Sequence, residues 1–147
     1  MRATAIVQYA IQAWEEKDAN ALASYLSDDA ICKQIFPQPI GKAQLIAFMK
    51  AITEAFPDWS FNSHVLHEES LAEQSWSVLF VTGVTGTQTG DLILPTLPVI
   101  PATGTKIALP YRHLDYFVKG DTITAITADF SPNGLEEVLV QLGLELP

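Results

Sequence analysis

Residues 111–130 read YRHLDYFVKGDTITAITADF, and this stretch decides the fold. Two extended runs flank Lys119-Gly120-Asp121, a short turn of the kind that joins antiparallel strands. Alternate side chains of a strand point to opposite faces, so Tyr111, His113, Asp115 and Phe117 share one face of the first run. Because a histidine and an aspartate stand two apart between aromatic residues, we expect this face to look into a cavity.

The other face of the first run carries Leu114, Tyr116 and Val118. It is too apolar to lie in water if the opposite face lines a pocket, so we expect a homodimer that covers it. The second run is almost free of charge until Asp129, so a carboxylate ends a strand of buried character.

The composition is that of one globular domain over residues 1–147. With 48% hydrophobic and only 17% charged residues, the chain should bury an extensive surface. The net charge of −9 disfavours nucleic acid and anionic membranes as partners and leaves neutral or cationic ligands open. The single cysteine, Cys32, fits a reducing compartment, and there is neither a signal-like N-terminus nor a run of roughly 20 apolar residues. We therefore expect a cytoplasmic protein with no membrane partner.

Helical spacing of apolar residues gives way to extended segments along the chain. The spacing predicts helices over about 3–17, after Asp18, and around Leu45 to Ile52 until Phe56-Pro57. Strands are predicted near 30–32 and over 60–69, 75–85, 105–118 and 122–130. Ser131-Pro132 opens a last helix that Gly143 ends. Helices first and an antiparallel sheet afterwards define an α+β fold.

Residues 91–104, DLILPTLPVIPATG, form a strongly apolar connection. Its three prolines make a place within a central strand unfavourable. We expect this segment either to fold over a hydrophobic opening as a lid or to form an interface in an oligomer.

Several short motifs together carry a resemblance to a known family. They are the helix opening at Gly41, FPDWSF at 56–61, GTQTGD at 86–91, ATGTK at 102–106 and the HLD…AD run that ends at 129. These motifs resemble the SnoaL-like polyketide cyclases of the nuclear transport factor 2-like, ketosteroid isomerase-like superfamily, over nearly the whole chain. The resemblance implies a strongly curved antiparallel sheet wrapped into a cone, with the N-terminal helices closing one side around a pocket.

The resemblance also implies a site. In such cyclases the last strand ends in the acid/base carboxylate and the strand before it lends polar residues two apart, which here match Asp129, with His113 and Asp115. The chain departs from the family pattern at two of these positions: Ala128 stands where an aromatic residue is usual, and Asp115 where a histidine is common.

A carboxylate held in an apolar pocket is harder to ionise and becomes a competent general base, so Asp129 is the catalytic candidate. His113 and Asp115 would orient a substrate carbonyl or tune the base. The structural alternatives are that Asp129 caps the turn at residues 131–133 and that the histidine–aspartate pair only fixes the sheet.

The substrate-binding candidates are aromatic residues whose spacing also fits a core, namely Trp14, Phe48, Trp59 and Tyr111. His64 and His67 stand three apart on a predicted strand and so should point to opposite faces, which disfavours a metal site. No motif requires a cofactor.

Three functions remain open at this point. The first is cofactor-independent acid/base chemistry on a small hydrophobic carbonyl compound, by aldol-type cyclisation or isomerisation. The second is non-catalytic binding of a small lipophilic ligand in the same pocket. The third is an epoxide-hydrolase-like reaction, which ranks last because Arg112 should lie on the face opposite His113.

Overall fold

The computed structural model describes residues 2–95, 97–129 and 134–143, and its elements follow the α+β order that the sequence predicts. The helices are α1 (Arg2–Glu15), α2 (Ala19–Tyr25), α3 (Lys42–Ala55) and α4 (Gly134–Gln141). The strands are β1 (Leu26–Lys33), β2 (Ile40–Gly41), β3 (His64–Ala72), β4 (Ser75–Thr82), β5 (Thr85–Thr87), β6 (Lys106–Ala108), β7 (Arg112–Lys119) and β8 (Thr122–Ala128). Among these helices none is long and apolar enough to cross a membrane.

Six strands form one curved, open sheet in the order β2-β1-β8-β7-β4-β3, and β5 pairs with β6 in a separate ribbon. The predicted hairpin is β7–β8, whose turn uses Gly120 at a φ of +60°. That φ lies in the left-handed region, which glycine enters without steric cost. β1 joins the other side of β8 in parallel, so the hairpin lies at the centre of the sheet.

Helices α1 and α3 begin and end close to where the sequence predicts. In α1 the apolar stripe of Val7, Ala10 and Trp14 is buried. At the start of α3 the Gly41 N–H donates to Gln44 Oε1 at 3.0 Å, and the helix stops before Pro57, whose ring disfavours a helical conformation of the residue before it. Both helices contact the sheet, α1 at β4 and β8 and α3 at β1.

Several predicted boundaries are wrong. The strand expected over 105–118 is broken around Pro110, which has no N–H to donate to a ladder, and becomes β6 and β7. The strand expected over 75–85 divides into β4 and β5, and the one expected over 60–69 begins only at 64. β1 starts at Leu26, four residues before the strand that is expected near 30–32. The predicted opening of the last helix at Ser131-Pro132 lies outside the described residues.

The faces of β7 are the reverse of the prediction. Leu114, Tyr116 and Val118 are 4%, 5% and 1% exposed and belong to the core, whereas His113 lies on the outer face. Burial of apolar surface stabilises the fold by about 25 cal/mol per Å². Burying the three large apolar side chains therefore stabilises it more than burying the face that carries His113 and Asp115 would. The helices therefore already cover the face for which a dimer partner was invoked.

Candidate functional site

An apolar cavity lies between the inner face of the sheet and the helices. Its wall is drawn from α1 to α4 and from β1, β4, β7 and β8, with contributions from the connections. Its volume, taken as the space that the centres of water molecules can reach, is about 80 Å³. One water needs roughly 10–15 Å³ on this measure, so there is room for a compound with the bulk of several waters.

One part of the wall is an aromatic cluster made of Trp14, Phe48, Trp59 and Phe61. The ring centroid of Phe61 lies 5.2 Å from that of Trp14 and 5.9 Å from that of Trp59, in edge-to-face geometry. The Phe61 backbone N–H donates to Glu15 Oε2 at 2.8 Å, which fixes this segment against the end of α1. Three of the four predicted substrate-binding residues thus lie in one wall of the cavity, while their contact with a substrate stays a prediction.

The indole N–H groups of Trp14 and Trp59 are buried and find no hydrogen-bond partner among the residues that the structure describes. Trp14 is only 8% exposed and Trp59 only 7%. A buried donor without a partner destabilises a fold by about 1–3 kcal/mol. Two such donors in one cavity wall are therefore unusual. The sequence identifies both tryptophans as wall candidates, but the missing partners are a property of the folded chain.

The remaining polar groups of the wall are neutral. Burial raises the pKa of the Cys32 thiol to about 12, and it also raises the pKa of the Tyr116 phenol, to which the nearby Cys32 adds. Thr82 Oγ1 shares a hydrogen bond of 3.1 Å with Ser63 Oγ. None of the described lining residues is Asp, Glu, His, Lys or Arg. The described part of the wall therefore carries no charge at neutral pH.

Asp129 and His113 pair with each other outside this cavity. The His113 backbone N–H donates to Asp129 Oδ1 at 2.8 Å, and His113 Nδ1 lies 3.2 Å from Asp129 Oδ2. Both side chains are more than half exposed, at 56% and 51%. The expectation that they line the cavity is wrong, because β7 turns its apolar face inward and leaves this pair in water. Their catalytic role stays a prediction, without support from the cavity.

Asp115 and Tyr111 are also outside the cavity, contrary to expectation. Asp115 shares the outer face with His113 and accepts a long hydrogen bond of 3.4 Å from Ser77 Oγ. Tyr111 is 59% exposed, and its ring covers Gly83, where an added Cβ would lie 2.6 Å from Tyr111 Cε1. These contacts fit the structural alternative, in which the polar residues stabilise the outer side of the sheet.

Arg112 lies on the face opposite His113, as expected, and forms an ion pair that the sequence analysis did not anticipate. Its Nη2 is 2.9 Å from Glu137 Oε1 of α4. Arg112 Nε and Glu137 Oε2 are buried and have no hydrogen-bond partner within the described part of the chain. Neither residue lines the cavity, although Val138, the next residue of α4, does. The pair therefore joins α4 to the sheet beside the cavity wall.

His64 and His67 lie on the same face of the sheet, so the prediction of opposite faces is wrong. They pair with Val81 and Leu79, two residues apart on β4, because the register shifts between Val65 and His67. A bulge of this kind adds one residue and reverses the alternation beyond it. Within the described residues no group of three or more His, Cys, Asp or Glu side chains is arranged to hold a metal ion.

Among the described residues of the proline-rich segment, 91–95 and 97–104, none lines the cavity wall. Leu92 and Leu94 are buried, Leu92 pairs with Ile100 in an antiparallel bridge, and Ile93 and Val99 are exposed. The described residues thus give the lid interpretation no support, and both the lid and the interface interpretations stay predictions.

Residues 7–126 match the model of the SnoaL-like domain, and the chain belongs to this family. Among solved structures, it resembles a proposed polyketide cyclase from Xanthomonas campestris pv. campestris at 20% identity and a TM-score of 0.68, with 96% of each chain covered. A proposed polyketide cyclase from Pseudomonas putida is 21% identical with a TM-score of 0.67, over 93% of this chain and 98% of that one.

A proposed scytalone dehydratase from Novosphingobium aromaticivorans shares 13% identity and a TM-score of 0.66, over 86% of this chain and 79% of that one. No curated protein matches the sequence. At these identities the likeness to solved structures concerns the fold, so chemistry must be argued from the cavity of this chain.

Proposed function

We propose that this protein binds a small, neutral, hydrophobic molecule in the cavity between the sheet and the helices. The observation that carries the proposal is the uncharged wall, in which even Cys32 and Tyr116 stay protonated at neutral pH. A charged ligand would lose its hydration there without gaining an ion partner, at a cost of several kcal/mol. A hydrocarbon would instead gain the usual free energy of apolar burial.

The cavity favours binding over the acid/base chemistry expected from the family resemblance. General acid–base catalysis needs a titratable group within hydrogen-bond reach of the substrate. In the described part of the wall there is no carboxylate or imidazole, and the predicted base, Asp129, lies on the other side of the sheet. An epoxide-hydrolase-like reaction would need carboxylates and an arginine at the ligand. The Arg112–Glu137 pair lies beside the described wall and does not line it.

Calorimetric titration with α-methylstyrene, a neutral hydrocarbon, and with benzoate, an anion of similar bulk, tests the proposal. We expect saturable one-to-one binding of α-methylstyrene with a negative heat-capacity change, and no binding of benzoate. Equal binding of the two, or binding of benzoate alone, would contradict the neutral-ligand proposal.

A homodimer and a cytoplasmic location are further proposals, which the fold neither requires nor opposes. The outer face of the sheet, which carries Leu79, Val81 and Phe117 as partly buried side chains, is the surface that a second copy would cover. Sedimentation at micromolar concentration measures the assembly, and a Phe117→Asp variant should shift a dimer to monomer.

A further inference from the structure

His64 and His67 are neighbours on the outer face of the sheet because of a β-bulge in β3. His64 pairs with Val81 and His67 pairs with Leu79, with Leu66 as the extra residue between them. Val81 and Leu79 point to the outer face of β4, and residues that pair across two strands share a face. Consecutive positions on one face of a strand lie roughly 7 Å apart. The two imidazoles therefore stand side by side in adjacent rows.

This pair of side chains has the composition of a metal chelate. We propose that His64 and His67 together bind a divalent transition-metal ion such as Zn²⁺ on the outer face of the sheet. Imidazole nitrogen is a ligand that suits Zn²⁺, Cu²⁺ and Ni²⁺, whereas Mg²⁺ and Ca²⁺ take oxygen ligands. Both histidines are exposed, so an ion reaches them without a change in the fold. The site is separate from the cavity and does not depend on the proposed function.

The charges around the pair favour a cation. On the same face, Glu69 follows on β3, and Asp115 of β7 lies in the row of His67, on the far side of Leu79. On β3, β4 and β7 the two rows of the pair contain neither Lys nor Arg. The chain as a whole has a net charge of −9. A field of this sign raises the local concentration of cations at the surface.

The chain supplies two ligands to this ion. Among the described residues no group of three or more His, Cys, Asp or Glu side chains is arranged to hold a metal ion, so water fills the other coordination positions. Zinc sites with four protein ligands are structural, and sites with three leave one position open for water. Two protein ligands leave more positions to water. Binding should therefore be reversible and weaker than at either of those kinds of site.

Calorimetric titration of the EDTA-treated and dialysed protein with Zn²⁺ and with Mg²⁺ tests the proposal. An acidic surface alone would attract both ions, whereas imidazole ligands select Zn²⁺. We expect saturable binding of one Zn²⁺ per chain, and no saturable binding of Mg²⁺ below about 1 mM. His64→Gln and His67→Gln should each weaken Zn²⁺ binding by about tenfold or more, because the loss even of an outer-shell partner typically costs about 10–100-fold in metal affinity.

Two control variants use the same face and the same strand. The third histidine of the chain, His113, pairs with Val81 and so lies two strands away from His64. His113→Gln should therefore change the Zn²⁺ affinity by less than about twofold. The double variant His64→Gln/Val65→His keeps three histidines but moves one to a position that pairs with the buried Phe80, on the opposite face. It should bind Zn²⁺ as weakly as His64→Gln alone.

Imidazole NMR of the unmodified protein gives a measurement that requires no variant. Zn²⁺ should shift the ring signals of His64 and His67 and leave those of His113 unchanged. For the variants, far-UV circular dichroism verifies the fold before affinities are compared. Equal binding of Mg²⁺, recovery of affinity by Val65→His, or an equal loss in His113→Gln would each overturn the proposal. A lack of saturable Zn²⁺ binding below about 1 mM would overturn it as well.

Discussion

Filling the cavity should stabilise the protein, whereas the same substitution one helical turn away should destabilise it. Ala10 lines the cavity and is 4% exposed. Ala13 lies on the same helix and is 5% exposed, but it is not part of the cavity wall. Leucine and alanine are both strong helix formers, so Ala10→Leu and Ala13→Leu change local helix propensity by the same small amount.

The magnitudes follow from the space that each side chain meets. Leucine adds three carbon atoms, and burying each contributes about 0.8 kcal/mol, which gives about 2 kcal/mol before roughly 0.5–1 kcal/mol of lost rotamer freedom. We therefore expect Ala10→Leu to raise the free energy of unfolding by about 1–2 kcal/mol. At Ala13 the added atoms meet packed neighbours, and overpacking typically costs about 1–3 kcal/mol.

Urea unfolding followed by tryptophan fluorescence measures both changes, provided that the slope of the free energy against urea is the same in all three proteins. Ala10→Leu should also weaken the binding of α-methylstyrene by roughly tenfold or more, since the added side chain occupies the site. If Ala10→Leu were as destabilising as Ala13→Leu, the space beside Ala10 would be filled in the folded protein, and the cavity could not be a binding site.

Three further outcomes test other parts of the structure. Asp129→Asn should leave α-methylstyrene binding unchanged in calorimetry and alter stability by no more than about 1 kcal/mol, because its contact with His113 is exposed; a large loss of affinity would return Asp129 to the site. The Thr87 backbone N–H lowers the pKa of Asp58 from its ordinary value of 3.8, so the bond should stabilise the fold above about pH 4 and be lost as pH falls through the lower, folded-state pKa. The exposure of Asp58 limits this effect to less than about 1 kcal/mol, and an Asp58→Ala variant whose deficit stayed constant down to pH 2 would disprove the linkage. Arg112→Met should cost about 2 kcal/mol by leaving the half-buried Glu137 carboxylate unpaired, while the double variant with Glu137→Leu should recover most of that loss in thermal unfolding.

The local sequence determined the elements that depend on neighbouring residues. The period of Val7, Ala10 and Trp14 predicted α1, Pro57 predicted the end of α3, and Gly120 predicted the central hairpin. Each of these signals acts within one or two turns of chain, through side-chain periodicity, the steric effect of proline or the freedom of glycine at positive φ. The α+β class followed from the order of these elements.

The direction in which the central hairpin faces was decided only by the tertiary structure. Alternation separated His113 from Leu114 correctly, but it could not tell which set would meet the helices. Leu114 lies inside because the apolar faces of α1 and α3 must be buried against the most apolar face of the sheet. His113 and Asp129 contact each other on the outer face, so the strand that looked suited to a catalytic pocket presents its polar residues to solvent.

The same reason explains what the sequence could not predict about the cavity. Trp14 and Trp59 are far apart in the chain, and each looked like an ordinary core residue. Only the packing of α1 against the segment after α3 brings both onto the ring of Phe61 and leaves both N–H groups without an acceptor among the described residues. Hydrogen-bond satisfaction in a core depends on which distant segments meet. It is therefore a property of the fold, and no single stretch of sequence contains it.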